Sequence, residues 1–218
     1  MTADKTFTCV DCGMQGCDGK GGSHPGFCLS EAIDPVVSAE VMARYEEPEN
    51  RRVMEVAASV EYDFYNRYSR VQETIEFARR MGFTRIGIAT CAGLIDESRT
   101  LRRLLEEAGF EVFGVICKID ERKKVDLGLD PAYEATGANI CNPIMQARLL
   151  EQADTQLNIV MGLCVGHDAL FAKYSHTLTT TLVAKDRVTG HNPCAVLYTA
   201  NSFYRRRLAA QIEGYREG

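Results

Sequence analysis

The chain lacks the signatures of several common protein classes. No run of basic residues is longer than three, as at Arg205-Arg206-Arg207, and the net charge is −5 over 218 residues. A nucleic-acid or anionic-membrane partner selects for a basic face, so neither is expected. No apolar run approaches the length that spans a bilayer. Residues 1–8 contain no apolar h-region, so a signal peptide is not expected and cytoplasm is the expected compartment. ATCAGLIDES, after the first predicted strand, has a single glycine, so the G-x-G-x-x-G of dinucleotide binding is missing. There is no Walker A motif and no G-x-S-x-G elbow. Internal repeats and low-complexity tracts are also missing.

What is abundant is cysteine. Nine are present. In a reducing compartment a disulfide framework is disfavoured, and the odd count and uneven spacing point to metal binding or thiol chemistry. Cys9, Cys12, Cys17 and Cys28 are crowded into CVDCGMQGCDGKGGSHPGFC, residues 9–28. Six glycines and one proline leave that stretch without a core of its own, and a metal would order it. The spacing is C-x2-C-x4-C-x10-C. A CxxC pair lets two thiolates grip one ion or cluster corner from a tight turn, and two later thiolates complete four ligands. Zinc and an iron–sulfur cluster take the same ligands, so the metal stays open at this point. His24 stands beside four thiolates as a bystander.

The rest of the chain predicts an α/β fold. Ser30 reads as a helix cap, with Glu31 and Asp34 in the first turn. Residues 35–46 and 49–81 carry apolar side chains at helical spacing, separated by Pro48 and closed by Gly82. Strands are then expected near 85–90, 111–118, 157–163 and 179–184. Helical segments follow the first two, LIDESRTLRRLLEEAG and NPIMQARLLEQA (142–153). Nearly continuous apolar strands alternating with helices predict a doubly wound, Rossmann-like parallel sheet of four or more strands. The expected organisation is a Cys-rich segment (1–30), a helical region (31–82) and the α/β domain (83–218). Residues 120–139 read as a long connection that covers a site.

In such a sheet the βα loops share the carboxyl edge, where ligands bind at the switch point. Cys91, Cys117 and Cys164 follow or end predicted strands, and Cys141 precedes a helix. Together with His167, Lys185, Asp186 and His191 they form a candidate cofactor or substrate site, with Asp168, Arg187 and Asn192 nearby. Cys117, inside an apolar strand, is as readily core as ligand. Cys194 is left outside the site and His176 reads as structural or solvent-facing. His167 and His191 stay divided among metal ligand, acid–base group and loop hydrogen-bonder. Cys164 and His167, three residues apart, make a weak nucleophile pair.

The segment from Cys9 to Cys28 resembles the N-terminal cluster-binding segment of nickel carbon-monoxide dehydrogenases and hybrid-cluster proteins. That resemblance implies a [4Fe–4S] cluster on Cys9, Cys12, Cys17 and Cys28. The stretches GLCVGHDALFAKYS and KDRVTGHNP resemble a family of uncharacterised cysteine-rich proteins of anaerobic prokaryotes. The likeness spans almost the full chain and implies metal binding but no reaction. The chain is too short for a complete dehydrogenase. The function expected is therefore an iron–sulfur protein with a redox role, passing electrons to a second site at the rim, to a protein partner or to a small molecule. A zinc protein with a structural four-cysteine site and a thiol-dependent enzyme are the alternatives.

Overall fold

The computed structural model describes residues 6–216. Residues 1–5 of the stretch read for a signal peptide lie outside them. The chain divides into two compact units at Ser59 and Val60, inside the second helix.

In the first unit, helix α1 (Pro35–Tyr45) starts later than Ser30. Ser30–Ala32 is only a 3-10 turn. Pro35 decides the start: its ring disfavours helical backbone at Asp34, which adopts φ −61° and ψ 125°. Asp34 then caps the helix, its carboxylate accepting the Val36 N–H at 2.8 Å. Helix α2 spans Pro48–Phe64 across the division, and α3 (Arg70–Met81) belongs to the second unit. The continuous helix read over 49–81 is thus two helices. Asn66, at φ +55°, leaves the helical region, and Ser69 starts the new helix by bonding Gln72 Oε1 through its N–H at 2.9 Å. Gly82, at φ +78°, ends α3 as expected.

The second unit holds a four-stranded, all-parallel sheet: β1 (Arg85–Thr90), β2 (Glu111–Ile116), β3 (Leu157–Met161) and β4 (Thr179–Val183). The spatial order is β2-β1-β3-β4. Helices α4 (Ile95–Glu107) and α5 (Pro143–Gln152) connect the first three strands, and α6 (His167–Tyr174) leads to β4. Helices α7 (Cys194–Tyr198) and α8 (Arg205–Arg216) follow. Because the chain winds one way from β1 to β2 and the other way to β3, the switch point lies between the carboxyl ends of β1 and β3.

Period-2 alternation splits the core into two clusters, one for each face. Ile86, Ile88, Leu157 and Ile159 pack with Leu101 and Leu105 of α4 and Ala78 of α3. Ala89, Val115 and Val160 pack with Ala147 and Leu150 of α5 and Phe171 of α6. Each fully buried Leu or Ile contributes about 1.5–3 kcal/mol, so the sheet is held from both sides. Gly87 is needed on the α5 face, since a Cβ there would overlap Asn158 Oδ1. The connection 120–139 stays irregular, with 3-10 turns at Val125–Leu127 and Pro131–Thr136 and one antiparallel bridge between Lys123 and Asn139.

Candidate functional site at the carboxyl rim

Thr90 pairs with Ile116 at the end of the β1–β2 ladder. One residue further, Cys91 and Cys117 stand side by side, and both belong to the cluster on the α5 face. The Cys117 N–H continues the ladder to the Thr90 carbonyl at 2.8 Å, and the Cys91 N–H reaches the Met161 carbonyl of β3 at 3.1 Å. The Asn142 N–H bonds the Cys117 carbonyl at 2.7 Å, which sets Cys141 beside Cys117. Asn142 also caps α5, its Oδ1 accepting the Met145 N–H at 3.1 Å. The buried Gln146 amide clamps the strand ends, donating to Thr90 O at 3.1 Å and Val115 O at 2.7 Å.

Three cysteines pack in one cluster, and Cys117 shifts the titration of Cys91 on one side and Cys141 on the other. Cys117 keeps the proton: bonds to Cys141 and then Cys91, with burial, push its thiol up. Cys91 is lowered from 9.0 to about 4 by the Cys117 bond, with the Gly93 N–H and Lys185 also favouring its thiolate against burial. Cys141 is lowered to about 5 by the Cys117 bond, with Lys118 and His167 adding positive charge. A thiolate beside cations and backbone N–H groups is the reactive form of cysteine. Cys164 lies at the same rim, its Sγ accepting from Arg187 Nη2 at 3.0 Å. That bond raises the Arg187 pKa, with Cys91 and Cys141 contributing at longer range, so the four cysteines share one electrostatic neighbourhood.

Glycines open this rim. Gly162, at φ +65°, follows β3, and a Cβ there would overlap Leu94 Cδ1. A Cβ at Gly93 would come within 3.1 Å of Lys185 Nζ. A side chain at Gly162 would displace the buried Leu94, and one at Gly93 would crowd the Lys185 ammonium.

The rim therefore gathers Cys91, Cys117, Cys141, Cys164, His167 and Lys185. Asp186 and His191 build the neighbouring turn instead of facing the sulfurs. The Asp186 N–H donates to His191 Nδ1 at 3.1 Å. The Thr189 side chain holds the Asp186 pKa low, followed by the N–H groups of Thr189 and Val188, which its carboxylate accepts, with His191 nearby. Cys194 and His176 are exposed. Lys118 and Gln146 were missed by sequence reading. Lys118 follows Cys117 directly and its Nζ bonds Asn139 O at 2.6 Å, so the 120–139 connection is anchored at the site.

In the first unit, Cys9 opens a 3-10 turn and Cys12 ends it; Cys17 lies in a second turn. Cys9 and Cys17 are exposed, Cys12 and Cys28 partly so. The stacked rings of Phe7 and Phe27, 5.3 Å between centroids, draw together the two ends of the loop. His24 Nδ1 lies 2.9 Å from Glu31 Oε1, a partner outside the thiol set. Four thiols on a glycine-rich loop suit a soft metal. Among the described residues no three His, Cys, Asp or Glu side chains converge as a ready metal-holding group, at the loop or at the rim.

These features define a cysteine-rich, doubly wound α/β protein with a thiol cluster at its switch point. Residues 28–182 match the family described as "Protein of unknown function (DUF1847)", and the chain belongs to that family. It is 38% identical over 172 residues to "Uncharacterized protein MJ0455" of Methanocaldococcus jannaschii, covering 79% of this chain and 88% of the relative. No helix among the described residues is long and apolar enough to cross a membrane.

Proposed function

We propose that the protein is a redox protein working through cysteine thiolates at the carboxyl rim, with an iron–sulfur cluster on Cys9, Cys12, Cys17 and Cys28. One observation carries the rim assignment: Cys91, Cys117 and Cys141 pack in one cluster where the Asn142 N–H bonds the Cys117 carbonyl, and Lys185 and Lys118 stand beside the outer two. Perturbed thiols with named charge partners at a switch point are the pattern of a reactive site. Support for the cluster comes from the C-x2-C-x4-C-x10-C spacing, the loop closed by Phe7 and Phe27, and the resemblance to the cluster segments of nickel carbon-monoxide dehydrogenases and hybrid-cluster proteins. A [4Fe–4S] cluster bound there would supply one-electron transfer. Zinc on the same four thiols is the alternative occupant.

Two measurements on protein purified without oxygen test this. Iron, zinc and sulfide are counted per chain, and iodoacetamide-labelled cysteines are mapped at pH 6. Iron with sulfide, lost on Cys12→Ser, is expected; zinc without sulfide would replace the cluster by a structural metal. Cys141 is expected to label at pH 6 in both proteins. Labelling there only near pH 9 would refute a thiolate centre.

A further inference from the structure

We propose that Cys141 and Cys117 form a dithiol–disulfide couple that exchanges with small carboxylate-bearing disulfides. Cys141 attacks and Cys117 resolves. This rests on the rim being a thiolate centre and goes beyond it by assigning roles and a substrate class.

Access separates the roles. Cys141 is partly exposed, whereas Cys117 is 3% and Cys91 8% exposed. An incoming disulfide therefore meets Cys141 first. Cys117 is placed to follow. Cys141 packs against the cluster that holds Cys117, and the 2.7 Å hydrogen bond from Asn142 N–H to the Cys117 carbonyl holds the two backbones side by side. A disulfide needs Cα atoms about 4.4–6.8 Å apart, and the bond from Asn142 keeps the residue before it, Cys141, on the segment next to Cys117. The Ala92 N–H donates to Cys117 Sγ at 3.4 Å and favours negative charge there as the proton departs.

The exchange balances. The Cys141 thiolate attacks one sulfur of the disulfide; a mixed disulfide forms, and the first substrate thiolate leaves and is protonated by solvent. The Cys117 sulfur attacks Cys141 Sγ, and its proton passes to the departing substrate thiolate. The Cys117–Cys141 bond forms and the second substrate thiolate leaves. Two cysteines lose two electrons, and one disulfide becomes two thiols.

The substrate class follows from charge. Lys118 and His167 face Cys141, and the exposed Arg187 lies within electrostatic reach of it. A disulfide carrying carboxylates is attracted to that mouth, and a cationic one is repelled.

The test uses the full chain, reduced, desalted and kept without oxygen. It is exposed to oxidised glutathione or to cystamine, quenched with acid and N-ethylmaleimide, and mapped by peptide mass spectrometry. In the wild type a Cys117–Cys141 disulfide is expected, forming about tenfold faster with oxidised glutathione than with cystamine at low salt. Arg187→Gln should narrow that gap. Cys117→Ser should trap glutathione on Cys141, and Cys141→Ser should form no rim disulfide. Glutathione trapped on Cys91 or Cys164, or a Cys91–Cys117 disulfide forming in Cys141→Ser at the wild-type rate, would overturn the roles. Equal rates for the two reagents would overturn the substrate class. Cys141→Ser alters a partly exposed side chain and keeps the test decisive if Cys117→Ser folds poorly. Iodoacetamide labelling at pH 6 separates the failures. Labelling of Cys141 without a disulfide rejects the couple alone; no labelling rejects the thiolate centre as well.

Discussion

Replacing Cys117 by alanine removes the one thiol that both flanking cysteines share. A hydrogen bond to a charged group contributes about 1.5–3 kcal/mol. One proton serves one neighbour at a time, so each thiolate draws on part of that energy. At about 1.36 kcal/mol for each pKa unit, the Cys141 titration should rise by roughly one to two units. It stays below 9.0 because Lys118 and His167 still face it. The assay is the rate of iodoacetamide addition at Cys141, followed by peptide mass spectrometry from pH 4 to 10. The wild-type rate should level off above about pH 5, whereas Cys117→Ala should level off one to two units higher. An unchanged inflection in Cys117→Ala would show that Cys117 does not hold the thiolate. A wild-type inflection at the ordinary thiol value would refute the shared proton altogether.

Three further outcomes follow from the same geometry. Cys141 has a folded pKa below its unfolded 9.0, so its stabilising contribution is complete above pH 9 and fades as pH falls toward about 5; the stability advantage of wild type over Cys141→Ser, from urea melts, should therefore grow with pH across that window, and a constant difference would contradict it. Gly162→Ala adds a Cβ against Leu94 Cδ1 at a backbone φ of +65°, and overpacking with left-handed strain should cost about 2–4 kcal/mol; calorimetry should show Tm falling by about 2–4 °C per kcal/mol, and an unchanged Tm would mean that the β1 loop relaxes freely. Cys12→Ser should make residues 9–28 more sensitive to protease while Cys141 labelling is kept, because that loop has little apolar surface to hold it; equal protease resistance would show that the loop is ordered without a metal.

Much of the architecture was legible in the chain. Short apolar runs such as RIGIAT, separated by helical patterns, specify a parallel sheet because only strands covered on both faces are apolar throughout. Gly82 and Pro48 marked helix boundaries by backbone chemistry that needs no tertiary context. The break at Asn66 was not legible, since asparagine adopts left-handed backbone only when the surrounding chain requires it. The start of α1 was misjudged for another reason: Ser30 and Asp34 are both good caps, and Pro35 decides between them.

For the site, the sequence by itself determined which cysteines reach the rim, because each follows a strand or precedes a helix and parallel connections share an edge. Alternation along β1 and β2 even places Cys91 and Cys117 on the face of Ala89 and Val115. What only the tertiary structure decided is how those thiols differ. Register sets Cys117 beside Cys91, burial and its cysteine neighbours leave the proton on it, and Lys118 arrives from the loop after β2 while Lys185 and Arg187 arrive from the loop after β4. Proton placement depends on distances of a few ångströms between side chains far apart in sequence, and no local pattern encodes those distances.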